Sequence, residues 1–564
     1  MSLNSALEVG RSAMTVSQIA LQLAGNNMAN AATEGYHRQT IHLTPARGES
    51  LGNGNFVGRG VQLLAIRREV DTALQSRYRD ALSEEHSAQI DQRFLTTIET
   101  IQNELTDNDI SSLLSDFFNA FSELANNPED NAVRAVVIQQ GANLASRIAD
   151  LRNDYDVVIQ EVDRSLGNSV ARVNDLLEQI ALLNGQVTVA EGGEGGANAL
   201  RDQRDLLIDE LAQFMDVTVI EQSGGAVDVL VGSVPVLLGA ESRGVELRRE
   251  SVGDVIEVSV RVAADGTELT INSGTIGGLL NQREQTVQPV IDDLDTFAGQ
   301  LIFQVNRLHS QGQGRDGFSS VTGTYKNLDP TANLNATAAG LPFRIQNGSF
   351  FIHVTHSETG TRSSYQINVD GDAMSLDDLI DEINTVVGVP NVTAGKGLAN
   401  ELTLQADSGY EITFSDDTCG ALAALGINTF FCGENATDID VNQVLKDDAN
   451  LLAAGADHLP GSTDTALAIA DLQDVQVEEL GNRSLREFWQ NAVNDLAVRN
   501  DAANTAVESS RLVRESLFSQ IQAVVGVSLD EESINLLTFQ QQFKAAARFI
   551  NVIEETIQTL LSIA

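Results

Sequence analysis

The last thirty residues of the chain carry the pattern that most restricts what it can fold into. Leu536, Phe543, Ile550 and Ile557 step by seven, and so do Phe539, Ala546, Ile553 and Leu560. Two apolar rows kept in phase over four heptads form the seam of a helix that packs along its length on another helix. At about 1.5 Å per residue it would be roughly 40 Å long. Its stability has to come from covering that seam. Asp530, Glu531 and Glu532 stand at its start, where negative charge favours the helix dipole.

The first thirty residues offer a partner. Leu7, Met14, Leu21 and Met28 form one row, and Leu3, Gly10, Ser17, Ala24 and Ala31, mostly small, form its neighbour. Taken alone, this is equally the pattern of an amphipathic helix on a globular core. Opposite the C-terminal seam, it reads as the second member of a closely packed pair. Between the ends the pattern is layered. Residues 36–68 read as a loop with short strands, and 70–105, 110–125 and 130–185 as helices broken at Asn127-Pro128. Gly192–Gly196 reads as a flexible joint, followed by a short helix over 198–213, strands over 217–272 and a helix over 277–311. Strand patterns fall at 349–356, 364–369, 402–405 and 410–414. A helix near 375–387 is capped by Ser375 with Asp378 in its first turn. Helix returns from about 465 to 525. The fold class is therefore multidomain α+β: N- and C-terminal helices paired as a coiled-coil or helical-bundle stalk, with β-rich middle domains.

Charge excludes several partners. The chain of 564 residues has a formal net charge of -44, which repels phosphate backbones and anionic membrane surfaces. The first eighty residues run the other way, with eight Arg and no Lys against six acids. Residues 331–470 are acidic, opposed only by Arg344, Arg362, Lys396 and Lys446, as suits a region facing solvent. No apolar run approaches the roughly 18–20 residues that span a bilayer, and no cleavable secretory signal is evident. Two cysteines, Cys419 and Cys432, make neither a disulfide framework nor a zinc pattern. A bridge between them and two free thiols both fit.

Catalytic chemistry finds no foothold. His353 and His356 lie three apart in a strand pattern and so point to opposite faces. Asp370-Gly371-Asp372 lacks the ligand and glycine of a calcium loop, because Met374 and Ser375 occupy those places. Gly58-Arg59-Gly60 reads as a turn rather than a phosphate cradle. Acidic pairs such as Asp416-Asp417 and Asp447-Asp448 read as solvated surface. Nothing selects a carboxylate pair for hydrolysis, and no phosphate loop, dinucleotide fingerprint or nucleophile elbow appears. No catalytic, cofactor or metal residues are expected.

The two ends also carry a resemblance. Leu23-Ala24-Gly25-Asn26-Asn27-Met28-Ala29-Asn30-Ala31-Ala32-Thr33-Glu34-Gly35-Tyr36 resembles the N-terminal motif of flagellar rod, hook and hook-associated proteins, and Arg38-Gln39 fits the hook-associated version. Gly60-Val61-Gln62 through Ile66-Arg67-Arg68 to Asp71 is similar to the strand and helix start that come after that motif in the same proteins. Gly526-Val527-Ser528-Leu529-Asp530-Glu531-Glu532 with Phe539-Gln540-Gln541 resembles the C-terminal signature. Three interior segments narrow this to the FlgK family: Asp202-Gln203-Arg204-Asp205-Leu206-Leu207, Leu425-Gly426-Ile427-Asn428-Thr429-Phe430-Phe431, and Asp438-Ile439-Asp440-Val441-Asn442. The likeness covers about 1–320 and 420–564 and fades across 330–415. The physical reading stands beside it. Asn26, Asn27 or Asn30 near a seam can fix register; Gly35 supplies a helix stop; Tyr36 packs on the seam with its hydroxyl wet.

The resemblance implies a structural, non-enzymatic subunit of the bacterial flagellum, a ring of copies at the junction of hook and filament. It implies contacts with hook protein, with a second junction protein on the filament side, and with a cytoplasmic export chaperone on the C-terminal helix. It implies type III export to the cell exterior with no cleaved signal. Residues 1–59 and 529–564 are expected as an inner-tube helical domain, disordered in the free monomer. Residues 60–215, 275–316 and 461–528 are expected as an elongated helical bundle, 216–274 as a small β-rich domain, and 317–460 as an outer, solvent-exposed α+β domain. The assembly interface is expected at Leu3, Leu7, Met14, Leu21, Met28, Asn27, Asn30, Tyr36, Leu536, Phe539, Phe543, Ala546, Ile550, Ile553, Ile557 and Leu560. The alternatives are a sibling axial subunit, such as hook protein or flagellin, and an enzyme displayed on a flagellar scaffold in 317–460. The interior segments speak against the first, and the missing catalytic constellation against the second.

Overall fold

The computed structural model describes residues 3–563 except 53, 54, 105, 107, 193–195, 253, 254, 389, 390, 457, 458 and 460. His458 and the centre of the Gly192–Gly196 joint thus lie outside the described residues. The chain opens with α1 (Leu3–Ala29), followed by β1 (Gln39–Pro45), β2 (Glu49–Gly52), β3 (Asn55–Val57) and β4 (Val61–Arg68). β1 and β4 pair antiparallel, and a register slip at His42/Leu43 leaves Leu64 as an extra residue in β4. Helices α2 (Thr72–Gln102), α3 (Ile110–Asn126), α4 (Asn131–Glu191) and α5 (Asn198–Ala212) come next. Asp109 caps α3 by accepting from the Ser112 amide at 2.6 Å. Its buried face recurs at helical spacing through Leu113, Leu114, Phe117, Phe121 and Leu124.

The strands expected over 217–272 are β5 (Val217–Glu221), β6 (Val227–Val231), β7 (Val234–Leu238) and β8 (Glu241–Ser242), a four-stranded meander, and the hairpin β9 (Val245–Val252) with β10 (Val255–Val262). The single helix expected over 277–311 is instead two, α6 (Gly274–Gln282) and α7 (Gln288–His309), joined by a π-turn at Arg283–Val287. Pro289 opens α7 where its missing N–H costs nothing.

The acidic stretch builds β11 (Ser320–Thr322), β12 (Gly348–His356), β13 (Arg362–Val369), α8 (Leu376–Val386), β14 (Val392–Lys396), β15 (Leu402–Ala406) and β16 (Tyr410–Ser415). These make two three-stranded sheets, ordered β13-β12-β16 and β11-β15-β14. The capping box of Ser375 and Asp378 forms as expected at α8. Its buried residues Leu376, Leu379 and Ile383 close a core with Phe350, Ile352, Ile367, Leu404 and Phe414. Then come α9 (Ala421–Ala424), β17 (Phe431–Cys432), β18 (Asp440–Val441), α10 (Gln443–Asp447), α11 (Asp464–Asp471), α12 (Leu485–Val525) and α13 (Leu529–Ile563). The helix expected over 465–525 is therefore interrupted. Gly481 and Asn482 take left-handed φ of 68° and 57° and turn the chain between α11 and α12.

Segment 425–431 has a clear structural duty. Asn306 on α7 accepts the amides of Phe430 and Phe431 on its Oδ1, both at 2.9 Å, and donates from Nδ2 to the Phe431 carbonyl. Asn428, at φ 50°, donates to the Ser310 and Gly312 carbonyls past the end of α7, at 3.1 and 3.0 Å. The chain divides into two compact units: Met1–Arg93 with Val162–Gln282 and Ala502–Ala564, and Phe94–Glu161 with Arg283–Asp501.

Candidate assembly interface

The termini do pair. α1 and α13 pack side by side in opposite chain directions: Asn27 meets Glu532, Gly10 lies on Phe549 and Ile550, and Leu3 and Asn4 share a shallow cleft with Ile557, Leu560 and Leu561. The contact surface of α1 is its small row. Gly10, Ser17 and Ala24 are buried, with Ser5, Ala20, Leu23 and Asn27 around them. A Cβ on Gly10 would stand 2.7 Å from Cγ1 of Ile550, so only glycine lets the helices approach this closely. The larger side chains, Leu3, Leu7, Met14, Leu21 and Met28, are half-buried. On α13 only Glu532, Ala546 and Ile553 are fully buried. Leu536, Phe539, Phe543, Ile550 and Ile557 are half-buried, and Leu560 is exposed. A second apolar stripe on α13 is uncovered: Ile534, Leu537, Phe549, Val552, Leu560 and Ile563 recur at helical spacing and are all exposed.

A polar joint closes one end of the pair. Asn27, 2 % exposed, accepts on Oδ1 from the Tyr36 hydroxyl at 2.8 Å and from the Gln39 amide at 3.1 Å. Its Nδ2 donates to the Gln39 carbonyl and to Glu532 Oε2. Glu532 is itself 3 % exposed, so it is a buried anion and not merely a helix-end charge. Arg38 neutralises it, with Nε donating to Oε1 at 2.9 Å and a second nitrogen at 2.8 Å. The Arg38 amide donates to the carbonyl of Val525, the last residue of α12. One arginine thus ties together β1's approach, α12 and α13. Asn30 is half-buried and donates to both oxygens of exposed Asn26, which shapes the turn. Gly35, at φ 72°, serves this turn and not the helix stop, since α1 already ends at Ala29. The Tyr36 hydroxyl is not simply wet. Burial, helped by the carboxylates of Asp202 and Glu532 and opposed by the bond from Asn26, pushes it up to about 12.

The interior Asp202–Leu207 motif docks on this joint. Asp202 accepts from Arg68 at 3.0 Å and meets Nδ1 of His37 at 2.8 Å. Asp205 pairs with Arg68, and Leu206 packs on Gly35. Arg204, 1 % exposed, donates to Asn184 and to the Gly225 carbonyl. Sequence reasoning named these residues as separate signatures; it missed that Gly35–Arg38 and Asp202–Leu206 form one joint. The carboxylates of the one motif and the basic residues of the other were the available signal.

The other residues singled out in the sequence have structural partners. Among the described residues no group of three or more His, Cys, Asp or Glu is placed to hold a metal. His353 is buried between the hydroxyls of Ser364 and Ser415, at 2.7 and 2.8 Å, whereas His356 is half-exposed beside Tyr410. Asp372 donates its amide to Asp370, as in a turn. Arg59 pairs with Glu8, and a Cβ on Gly60 would collide with Ser12 of α1, so Gly58–Gly60 is a packed turn. Asp417 is not solvated surface. It is buried and accepts the amides of Cys419, Gly420 and Leu422. Cys419 and Cys432 are both free thiols.

Comparison with known proteins agrees with this architecture. Residues 95–323 match the model of the flagellar hook-associated protein FlgK helical domain, and residues 522–563 match that of the flagellar basal body rod FlgEFG protein C-terminal region. The chain is similar over its whole length to flagellar hook-associated protein 1 of Salmonella typhimurium, with 27 % identity and all of both chains covered. Similar relatives are hook-associated protein 1 of Escherichia coli, 26 % identical over all of both chains, and of Bacillus subtilis, 25 % identical over 99 % of this chain and 97 % of that one. The flagellar hook junction protein FlgK of Burkholderia pseudomallei shares the fold, with a TM-score of 0.51 and 16 % identity over 80 % of this chain and 100 % of that one. With its paired termini, its interlocked motifs and relatives matched from end to end, the chain is similar throughout its length to the flagellar hook-associated proteins of the FlgK family.

Proposed function

We propose that this chain is a structural subunit of the bacterial flagellum that forms the ring joining hook to filament. The observation that carries this is the α1–α13 pair: its small row closes within the chain, while the apolar stripe of α13 and the larger side chains of α1 are left for neighbours. Neighbouring copies in a ring or helical lattice are the natural cover, and the half-buried seam residues from Leu3 to Met28 and from Leu536 to Ile557, with exposed Leu560, are the contact set. The further partners are hook protein on one side, a second junction protein on the filament side, and an export chaperone that shields α13 beforehand. The chain works outside the cell as a non-catalytic part with no cofactor. Residues 1–59 and 529–564 form the inner-tube domain, with 60–215, 275–316 and 461–528 as the bundle, 216–274 as the small β domain and 317–460 facing solvent. The pair orders on assembly, so in the free monomer hydrogen exchange over 536–564 is expected to be fast; strong protection there without partners contradicts this.

The direct test is complementation. The full chain and a version ending at Ser533 are expressed in a motile bacterium lacking its hook–filament junction protein. Filaments with the full chain, and bare hooks with filament protein shed to the medium for the truncation, are the expected result. Filaments from both would remove α13 from the account. Filaments from neither, with the full chain also absent from hooks isolated from its own source, would remove the junction role.

A further inference from the structure

The β1–β4 ribbon has one face against α1, where the Val61 amide donates to Ser12 Oγ at 3.3 Å. Its other face is open to solvent. In a regular strand Leu63 and Leu64 would point to opposite sides, but the bulge at Leu64 turns both outward beside Leu43, and all three are exposed, Leu64 by 63 %. A bulge that re-aims side chains is a built feature, and three clustered exposed leucines on a narrow ribbon mark a contact surface. The ribbon's charge opposes that of the whole molecule. Residues 39–68 hold four Arg and one Glu in a chain of net charge -44, and Arg47 and Arg67 are exposed. Such a surface fits an apolar partner carrying acid. The first turns of α13 present one: Leu529, Ile534 and Leu537 are exposed, beside exposed Asp530.

We propose that the leucine ridge of one copy seats on the first turns of α13 of a second copy, with Arg67 facing Asp530. This contact rests on the assembly role above and gives it an address. The two patches differ, so each copy can offer its ridge to one neighbour while its own α13 receives the ridge of another, the head-to-tail arrangement that builds rings and lattices. Charge complementarity sets its register and encounter rate.

Mixed cross-linking tests it. A tagged copy with Leu64→Cys and an untagged copy with Leu537→Cys are made together in the complemented strain, and the sheared appendages are oxidised. A disulfide-linked dimer of tagged and untagged chains is expected only when both variants are present. A copy with Val189→Cys, at an exposed position on α4, replaces Leu64→Cys as a control that should give none. Chains found in the appendages without the mixed dimer overturn this contact and leave the assembly role standing. Chains absent from the appendages remove both. Equal dimer from the control overturns it as random collision. Adding Arg67→Glu should lower the dimer yield several-fold, and adding Asp530→Arg on the other copy should restore it; failure to restore overturns the charge pairing.

Discussion

Helices α8 and α13 are both amphipathic, yet they end in opposite circumstances. α8 turns Leu376, Leu379 and Ile383 into a core in which Ile352 and Phe414 have no exposed surface. α13 is much longer, yet Glu532, Ala546 and Ile553 are its only buried residues. The acidic lobe around α8 is finished within the chain. The α1–α13 pair leaves an apolar stripe of α13 uncovered and is held in register by a polar joint. Apolar patterning alone does not separate the two cases; the presence of a second uncovered stripe does.

Equivalent truncations should break them differently. Ile352→Ala is expected to cost about 2–5 kcal/mol as a core cavity, read by urea unfolding of the free chain. Ile557→Ala, half-exposed, should cost under about 1 kcal/mol while impairing recovery of the chain in appendages. Similar losses of stability at both sites would erase the distinction.

Acid should act on the unit of Phe94–Glu161 and Arg283–Asp501. His309 is fully buried; it accepts the Ala453 amide on Nε2 at 3.0 Å and donates from Nδ1 to the Asn428 carbonyl at 2.9 Å, so the ring is neutral. Burial lowers it from 6.5 to about 4. The unfolded chain therefore takes up the proton first. Stability is intact above pH 6.5 and is lost as pH falls toward about 4, by on the order of 3 kcal/mol. Trp489, the only tryptophan, lies in the same unit and reports it by fluorescence; an unfolding midpoint flat between pH 7 and 4.5 would refute this.

The joint should depend on its charges. Arg38→Ala leaves the Glu532 carboxylate buried without its main donor, a cost of about 2–3 kcal/mol to the assembled pair, read by urea dissociation of the chain from isolated appendages. Glu532→Gln in the same background should recover part of that, since it removes the unpaired charge. No recovery would mean that Arg38 acts by packing alone.

Alkali should have the smallest effect, and on the joint only. Tyr36 is raised from 10.0 to about 12, so its contribution is whole below pH 10 and is lost as pH rises through 12. Solvent reaches the ring, which limits the loss to about 1 kcal/mol. Melting midpoints of the chain and of Tyr36→Phe, each assembled in isolated appendages, should converge across that window. Parallel curves would place the alkaline transition elsewhere.

Much of this was legible in the sequence because heptads and caps are local patterns: the two terminal helices, α3, α8 with its Ser375 cap and the strands around 217–262 all lie where periodicity puts them. What failed was either too short or too distant. β14 turns only Val392 and Ala394 inward, too few to show alternation. The break between α11 and α12 rests on Gly481-Asn482, a turn pair inside an otherwise helical composition. The π-turn at Arg283–Val287 leaves no period of its own. For the interface, both rows of α1 were visible, but which row meets α13 depends on the closeness that Gly10 permits, and that is a property of two helices together. The joint was visible as three motifs and invisible as one object, because Asp202 reaches His37 across 165 positions of chain.

That separation has a further consequence, in time. The bond from Asn27 to Glu532 closes a loop of 505 positions. The chain-entropy cost of such a closure rises only slowly with length, but the closure cannot begin until nearly everything between has been synthesised. During synthesis α1 precedes its partner by most of the chain, so the joint cannot close until Glu532 has been made. A chain interrupted anywhere before Glu532 keeps Asn27, Arg38 and the small row of α1 open, however well its other elements have folded.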